Sequence, residues 1–207
     1  MRQESKNLLM VFMKNPVKGK VKTRLAATVG DDKALEIYKI LLQQTATVVG
    51  EIQICDKAIF YADFIDKNDL WSKGEKQKYV QSGVDLGERM KNAFDVAFRM
   101  GYDKAIIIGT DCYDLNAEII EEGFEKLNAN DVVIGPAMDG GYYLIGMNCL
   151  HIELFERISW STETVLADTL RILKQAQLIH HVLPIRTDVD TEENLYVGNN
   201  LKILHQL

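Results

Sequence analysis

Leu8-Leu-Met-Val-Phe-Met13, followed directly by Lys14-Asn-Pro-Val-Lys-Gly-Lys-Val-Lys-Thr-Arg-Leu25, is the stretch of sequence that decides the fold. Its first part is a continuous apolar run of strand length. Such a run is typical of a strand that is buried on both faces of a sheet covered by helices. Its second part is a basic loop that leads into a helix. The stretch therefore predicts an α/β fold with a charged loop at the end of its first strand.

Further along the chain, segments with the pattern of strands and helices alternate. The predicted strands cover 57–62, 78–81, 105–109, 132–135, 142–147 and 179–185. The predicted helices start at Asp31 or Asp32, span 86–100, follow an Asn116 cap up to Leu127, span 162–175, and start again near Thr191. This order predicts a three-layer α/β/α domain with a mixed, mainly parallel sheet, in which a hairpin at Asp139 adds the antiparallel element. In such sheets, ligands bind at the carboxyl ends of the strands.

Length and composition bound the remaining alternatives. The 207 residues are 47% hydrophobic and 26% charged, which predicts one globular domain over residues 1–207. The net charge of −6 argues against a nucleic-acid partner, because that function usually needs a broad basic face. The three cysteines are scattered, so neither a disulfide framework nor a zinc site is indicated, and a cytoplasmic location is expected. No apolar stretch reaches the ~20 residues of a membrane span.

The basic loop has the chemistry of a phosphate-binding site. Lys14, Lys22 and Arg24 offer cationic side chains, and Gly19 belongs to a loop whose backbone N–H groups suit phosphate oxygens. The alternative is a solvated basic loop without a ligand. A P-loop is excluded, since the first glycine and the adjacent Gly-Lys-Ser/Thr of that motif are both missing.

Aspartates that follow two later strands are candidate ligands of Mg²⁺ or Mn²⁺. Asp111 comes directly after an apolar strand, and Asp188 and Asp190 follow the last predicted strand, where their spacing puts them on one side. Hard divalent cations prefer one or two carboxylates together with phosphate oxygens and water. The alternatives are that Asp111 or Asp114 caps a turn and that Asp190 begins the final helix in a capping box with Glu193. Asp188 is the stronger candidate of the last pair.

Asp139-Gly140-Gly141 lies between two predicted strands. Asp-Gly at this place is a good hairpin turn, and taken alone the segment needs no other explanation. The functional interpretation is that Gly140 and Gly141 let a ligand approach the backbone closely while Asp139 contacts its polar groups.

Taken in order, these segments resemble the small bacterial GT-A-type transferases named radical-SAM/selenodomain-associated glycosyltransferases, over nearly the whole chain. The matching motifs are Lys14-x-Pro-x-x-Gly19-x-x-Lys22-Thr-Arg-Leu25, Leu86-Gly-Glu-Arg-Met90, Gly109-x-Asp111-Cys-x-Asp-Leu115, Gly135-Pro-Ala-x-Asp-Gly-Gly-Tyr142, Trp160-Ser-Thr162 and Asp188-x-Asp-Thr191. More distantly, the sequence is similar to phospholactate guanylyltransferase and the molybdenum-cofactor guanylyltransferases, which share the nucleotide-diphospho-sugar transferase fold. Tyr113 is a departure, because the family pattern usually has proline there.

The resemblance implies that Lys22 and Arg24 contact phosphates and that Asp111 and Asp188 or Asp190 lie near a metal. The leading hypothesis is glycosyl transfer from a nucleotide sugar to a small-molecule acceptor, with Asp139 as the catalytic candidate. The alternative is nucleotidyl transfer from a nucleoside triphosphate with release of pyrophosphate. A third class is a nucleotide-binding protein without turnover, since a fold and a pocket do not guarantee a reaction.

Overall fold

The computed structural model describes residues 6–72 and 76–207. Its seven strands form one sheet in the order β3-β2-β1-β4-β6-β5-β7. The strands are β1 (Asn7–Met13), β2 (Asp56–Tyr61), β3 (Gln77–Val80), β4 (Lys104–Ile108), β5 (Val132–Pro136), β6 (Tyr142–Met147) and β7 (His180–Val182). β6 runs antiparallel between β4 and β5, and the other pairings are parallel. The predicted mixed, mainly parallel sheet and its hairpin at Asp139 are confirmed.

Helices cover both faces of the sheet. They are α1 (Thr23–Val29), α2 (Asp31–Glu51), α3 (Leu86–Arg99), α4 (Ala117–Lys126), α5 (Val165–Gln175) and α6 (Leu201–Leu204). Side chains of β1 alternate between two apolar clusters: Leu9 and Val11 pack with α2 and α4, whereas Leu8 and Met10 pack with α3 and α5. This alternation confirms the predicted three-layer architecture, because successive residues of a strand point to opposite faces of its sheet. Within the described residues, no helix is long and apolar enough to cross a membrane.

Local sequence signals fix the start of several helices. The side chain of Asn116 accepts a hydrogen bond of 3.0 Å from the N–H of Ile119, so α4 begins at the predicted cap. Asp85 caps α3 in the same way by accepting from the N–H of Glu88 at 2.8 Å.

Three predictions in the last third of the chain need correction. β7 covers only His180–Val182 instead of residues 179–185, because Pro184 has no N–H for a ladder, and the pairing resumes only as an isolated bridge between Ala137 and Arg186. α5 begins at Val165 rather than Thr162. The helix predicted from Thr191 is replaced by 3₁₀ turns at Glu193–Tyr196 and Gly198–Asn200 and by the short α6, because Gly198 adopts φ +53° and interrupts a continuous helix.

The strand order places a crevice next to β1. β1 is paired with β2 on one side and with β4 on the other, so the connections that leave β1 and β4 run in different directions. Such a switch point is where open α/β sheets bind ligands. The basic loop follows β1 and Asp111 follows β4, so both lie at this crevice.

Candidate functional site

A cavity of about 890 Å³ opens at the carboxyl ends of β1 and β4. Residues that the sequence singled out supply part of its lining: Lys14, Lys22, Arg24, Asp111, Asp139, Gly141, Asp188 and Asp190. The rest of the lining includes Tyr38, Gln81, Arg89, Met90, Thr110, Tyr142 and Trp160. One cavity therefore brings together segments from near both ends of the chain, from Lys14 to Asp190.

The start of the basic loop is held in place by α2 and by the loop after β2. The N–H of Lys14 donates to the hydroxyl of Tyr38 at 2.9 Å, and that hydroxyl donates to the Lys14 carbonyl at 3.0 Å. The buried Asn15 donates to the carbonyl of Phe64 and accepts from the N–H of Asp63. No sequence pattern singles out Tyr38, because it is one of the regularly spaced core positions of α2.

Gly19 does not line the cavity, contrary to its predicted place among the phosphate-binding residues. It adopts φ +73°, and a Cβ at this position would face the Asp31 carboxylate at 3.6 Å. The glycine therefore shapes a turn of the loop on the side of α2.

Lys22 is the buried basic residue of the site. It adopts φ 48° and ψ 44°, a left-handed conformation that costs a residue with a Cβ roughly 1–2 kcal/mol. Its side chain is only 3% exposed, and its ammonium lies 2.6 Å from Asp111 Oδ1 and 3.0 Å from Asp190 Oδ1. Burial disfavours the ammonium, but the charges of Asp111 and Asp190 outweigh burial and raise the pKa of Lys22.

The two aspartates paired with Lys22 come from separate segments that the backbone joins. The N–H of Val189 donates to the carbonyl of Asp111 at 2.9 Å, which ties the segment after β7 to the loop after β4. Asp190 also accepts from Arg24 at 2.5 Å. Burial favours the neutral acid, yet Lys22, Arg24 and Lys14 together hold the pKa of Asp190 below its usual value. Asp190 is thus an ion-pair partner and not a helix cap.

Asp188 differs from its neighbours because its side chain forms no ion pair among the described residues. Its Oδ1 is buried and has no hydrogen-bond partner among the described residues. Burial, followed by repulsion from Asp111, raises the pKa of Asp188 from 3.8 to about 8 despite the opposing charge of Lys22. Repulsion from Asp139 and Asp190 acts in the same direction. Either a proton or a bound cation would remove the repulsion that this carboxylate meets in the folded protein.

The donor set fits a divalent cation that the ligand helps to hold. The described residues contain no group of three His, Cys, Asp or Glu side chains arranged to hold a metal. Mg²⁺ usually takes one or two carboxylates and completes its shell with phosphate oxygens and water. Asp111 and the unpartnered Asp188 supply that number of carboxylates.

The hairpin between β5 and β6 presents Asp139 at the edge of the cavity. Asp139 is exposed, and its Oδ1 accepts a hydrogen bond of 3.0 Å from the N–H of Gly141. Gly140 adopts φ +87°, and a Cβ there would lie 2.0 Å from the carbonyl oxygen of Glu163. The close approach predicted at Gly140 is therefore made by the chain itself, and Gly140 does not line the cavity.

Trp160, from the Trp160-Ser-Thr162 motif, forms the wall of the cavity next to α3. Its indole lies on Gly87, where a Cβ would come within 2.0 Å of the indole Nε1. The indole also stacks on the ring of Phe155, with a distance of 6.4 Å between the two ring centroids. Arg89 lines the same part of the cavity and donates from Nε to the carbonyl of Gly83 at 3.2 Å.

Tyr113, the departure from the family pattern, connects the loop after β4 to the end of the chain. Its hydroxyl accepts a hydrogen bond of 2.9 Å from the side chain of Gln206. The phenol is buried in the same apolar cluster as Leu115 and Leu195. In this chain, the residue that replaces proline thus helps to fix the loop that carries Asp111.

Residues 41–162 match a family described as "Uncharacterized protein conserved in bacteria (DUF2064)". The chain belongs to this family. A crystal structure from Desulfovibrio desulfuricans G20, provisionally named a nucleotide-diphospho-sugar transferase, is 32% identical to this DUF2064 protein, with a TM-score of 0.85. The match covers 98% of this chain and 95% of that one. No curated protein matches the sequence. The radical-SAM and selenodomain association stays a prediction.

Two more distant structures share the fold of this DUF2064 protein. A cytidylyltransferase from Leptospira borgpetersenii serovar Hardjo-bovis is 11% identical with a TM-score of 0.58, over 98% of this chain and 93% of that one. The inositol-1-phosphate CTP transferase from T. maritima is 12% identical with a TM-score of 0.55, over 99% and 97%. These likenesses confirm the predicted fold class of nucleotidyl and nucleotide-sugar transferases.

Proposed function

We propose that this DUF2064 protein is a metal-dependent transferase that takes a glycosyl group from a nucleotide sugar to a small-molecule acceptor. The observation that carries this proposal is the distribution of charge in the cavity. Lys14, Lys22 and Arg24 come from the loop after β1, and the carboxylates of Asp111 and Asp188 lie beside them. A diphosphate with a divalent cation matches both groups at once, because the phosphates suit the basic side chains and the cation suits the carboxylates.

Asp111 and Asp188 are the residues that would hold Mg²⁺ or Mn²⁺. When bound, the cation neutralises the charge that develops on the departing diphosphate. Lys14, Lys22 and Arg24 bind the phosphate oxygens and stabilise the same developing charge. Asp139 stands exposed at the mouth of the cavity, where its carboxylate accepts a hydrogen bond from an acceptor hydroxyl and orients that group.

The size of the cavity supports a two-part substrate. At about 890 Å³ it lies near the upper end of ligand pockets, which usually measure about 300–1,000 Å³. Beyond the charged region, Met90, Tyr142 and Trp160 provide an apolar and aromatic wall. This wall suits a sugar face or the non-polar part of an acceptor.

A second candidate is nucleotidyl transfer from a nucleoside triphosphate. The three cationic side chains that the loop after β1 brings to the cavity favour it, because a triphosphate and its pyrophosphate leaving group carry more charge than a diphosphate. The structures named above as cytidylyltransferase and CTP transferase share the fold.

Product analysis separates these candidates. The protein is incubated with a panel of nucleotide sugars and nucleoside triphosphates, each with mixed small-molecule acceptors and with Mg²⁺, Mn²⁺ or a chelator. Free nucleoside diphosphate with a glycosylated acceptor supports glycosyl transfer. Pyrophosphate with a nucleotidylated acceptor overturns it in favour of the second candidate, and metal-dependent nucleotide binding without any product supports a binding protein.

A further inference from the structure

The ammonium of Lys22 contacts a carboxylate that the proposed metal would also use. Its Nζ lies 2.6 Å from Asp111 Oδ1. Among the described residues, Asp111 forms no other ion pair. A Mg²⁺ ion binds carboxylate oxygens at about 2.0–2.1 Å and brings its own water ligands. An ion bound at Asp111 would lie next to this ammonium, and the repulsion between two cations at a poorly solvated position weakens the binding of the ion.

The two carboxylates paired with Lys22 differ in whether they have a second cationic partner. Asp190 keeps a partner without Lys22, because its second oxygen is paired with Arg24 at 2.5 Å. Asp111 is 43% exposed in its side chain and faces the cavity, so a solvated cation reaches it directly. Asp111 is therefore the carboxylate for which Lys22 and a metal compete.

The backbone shows that this placement of Lys22 is built into the fold. The left-handed conformation at Lys22 is maintained in a residue with a Cβ, and the carbonyl of the same residue accepts the first hydrogen bond of α1 from Ala26 at 2.8 Å. The Lys22 side chain is 3% exposed, so its ammonium leaves the carboxylates only if another anion replaces them. The anion that enters this cavity in the proposed reaction is a phosphate.

The geometry points to Lys22 as a resident cation that holds Asp111 until a phosphate group draws the ammonium away, so that metal and nucleotide enter together. This inference rests on the proposed function, since it concerns the metal of the same site. Its consequence is that Lys22 weakens metal binding in the absence of nucleotide, although it is a phosphate-binding residue in the complex. If Lys22 only bound phosphate, its replacement would not change the affinity for metal in the absence of nucleotide.

The test measures the affinity of Mn²⁺ alone by calorimetry, and by the loss of the free-Mn²⁺ electron paramagnetic resonance signal, in the full chain without nucleotide. Lys22→Met keeps the length of the side chain and removes its charge. The expected result is Mn²⁺ binding that is tighter than in the wild type by about tenfold or more. Lys18→Met is the matched control, because Lys18 lies on the same loop but pairs with the exposed Asp32 at 2.6 Å. It should bind Mn²⁺ like the wild type.

The outcomes separate this inference from the proposed function. Equal or weaker Mn²⁺ binding by Lys22→Met than by the wild type overturns the role of Lys22 while the proposed metal site stands. No Mn²⁺ binding by any of the three proteins overturns the inference, whereas the proposed function is tested separately by the product analysis with nucleotide present. If Lys22→Met does not fold, Lys22→Gln provides the same comparison, because its neutral amide donates to Asp190 and to the neighbouring carboxylates. Tighter Mn²⁺ binding by either variant supports the inference.

Discussion

Asp188 is a residue whose ionisation opposes folding. Its carboxyl has a pKa of 3.8 in its ordinary state and about 8 in the folded protein, chiefly because of burial and the charge of Asp111. Between these values the folded protein keeps a proton that the unfolded chain releases, so this group lowers stability progressively as pH rises from about 4 to 8. In metal-free protein, Asp188→Asn should therefore raise the melting temperature by about 2–6 °C at pH 8 and by much less at pH 5.

The measurement is thermal unfolding in the presence of a chelator at both pH values. Asp32→Asn is a suitable control, because Asp32 is an exposed carboxylate in a surface ion pair with Lys18 that solvent screens. Its effect should be small at both pH values. A gain for Asp188→Asn that is equal at pH 5 and pH 8 would contradict the assigned burial of the charge.

Substitution of Arg24 tests whether this residue binds phosphate, and it leaves the hydrophobic core intact. Its side chain is 66% exposed and pairs with Asp190 from the solvent side. Arg24→Ala should weaken the binding of a nucleoside diphosphate by about tenfold, because a guanidinium contact to phosphate is a charge-assisted hydrogen bond. Calorimetric titration measures the change, with circular dichroism to verify that the fold is intact. Affinity equal to that of the wild type would remove Arg24 from the phosphate site.

At the scale of elements, α3 carries a glycine whose absent side chain makes room for Trp160. Gly→Ala in a helix normally stabilises by about 1 kcal/mol. At Gly87 a Cβ would come within 2.0 Å of the indole nitrogen of Trp160, so Gly87→Ala should instead lower the melting temperature and displace the indole from the cavity wall. Iodide quenching of tryptophan fluorescence reports the displacement, because Trp71 is 1% exposed and does not respond.

Gly50 in α2 provides the matched comparison for Gly87. A Cβ at Gly50 would meet no heavy atom within 4 Å, so Gly50→Ala should show the ordinary helical gain and leave quenching unchanged. Gly87→Ala with the same gain as Gly50→Ala would mean that Trp160 does not rest on α3.

Elements were predictable from sequence where one local signal decided them. The apolar run of β1 and the cap of α4 at Asn116 are such cases, and both are confirmed. β7 was predicted too long because hydrophobicity continues past Val182, whereas ladder hydrogen bonds depend on a partner strand and on Pro184. The αL conformation of Lys22 and the contact of Trp160 with Gly87 were not predictable, since both depend on segments distant in the sequence.

At the scale of the whole molecule, the candidate site follows from strand ends rather than from any single motif. The sequence placed the basic loop and the aspartates after strands, and the sheet order brings them into one cavity. What the sequence could not predict is the pairing among them. Lys22 joins Asp111 to Asp190, while Oδ1 of Asp188 has no hydrogen-bond partner among the described residues. The hydrogen bond from the N–H of Val189 to the carbonyl of Asp111 holds the two segments together.

The two apolar clusters should unfold together, because they share every central strand. Trp71 belongs to the cluster on the α2 face, and Trp160 packs against the cluster on the α3 face. Neighbouring residues of β1 enter opposite clusters, so loss of either face removes the support of the other. In urea, Trp71→Phe and Trp160→Phe should each show one fluorescence transition that coincides with loss of helical circular dichroism. Separate midpoints for the two probes within one variant would show that the predicted single domain of residues 1–207 consists of independent units.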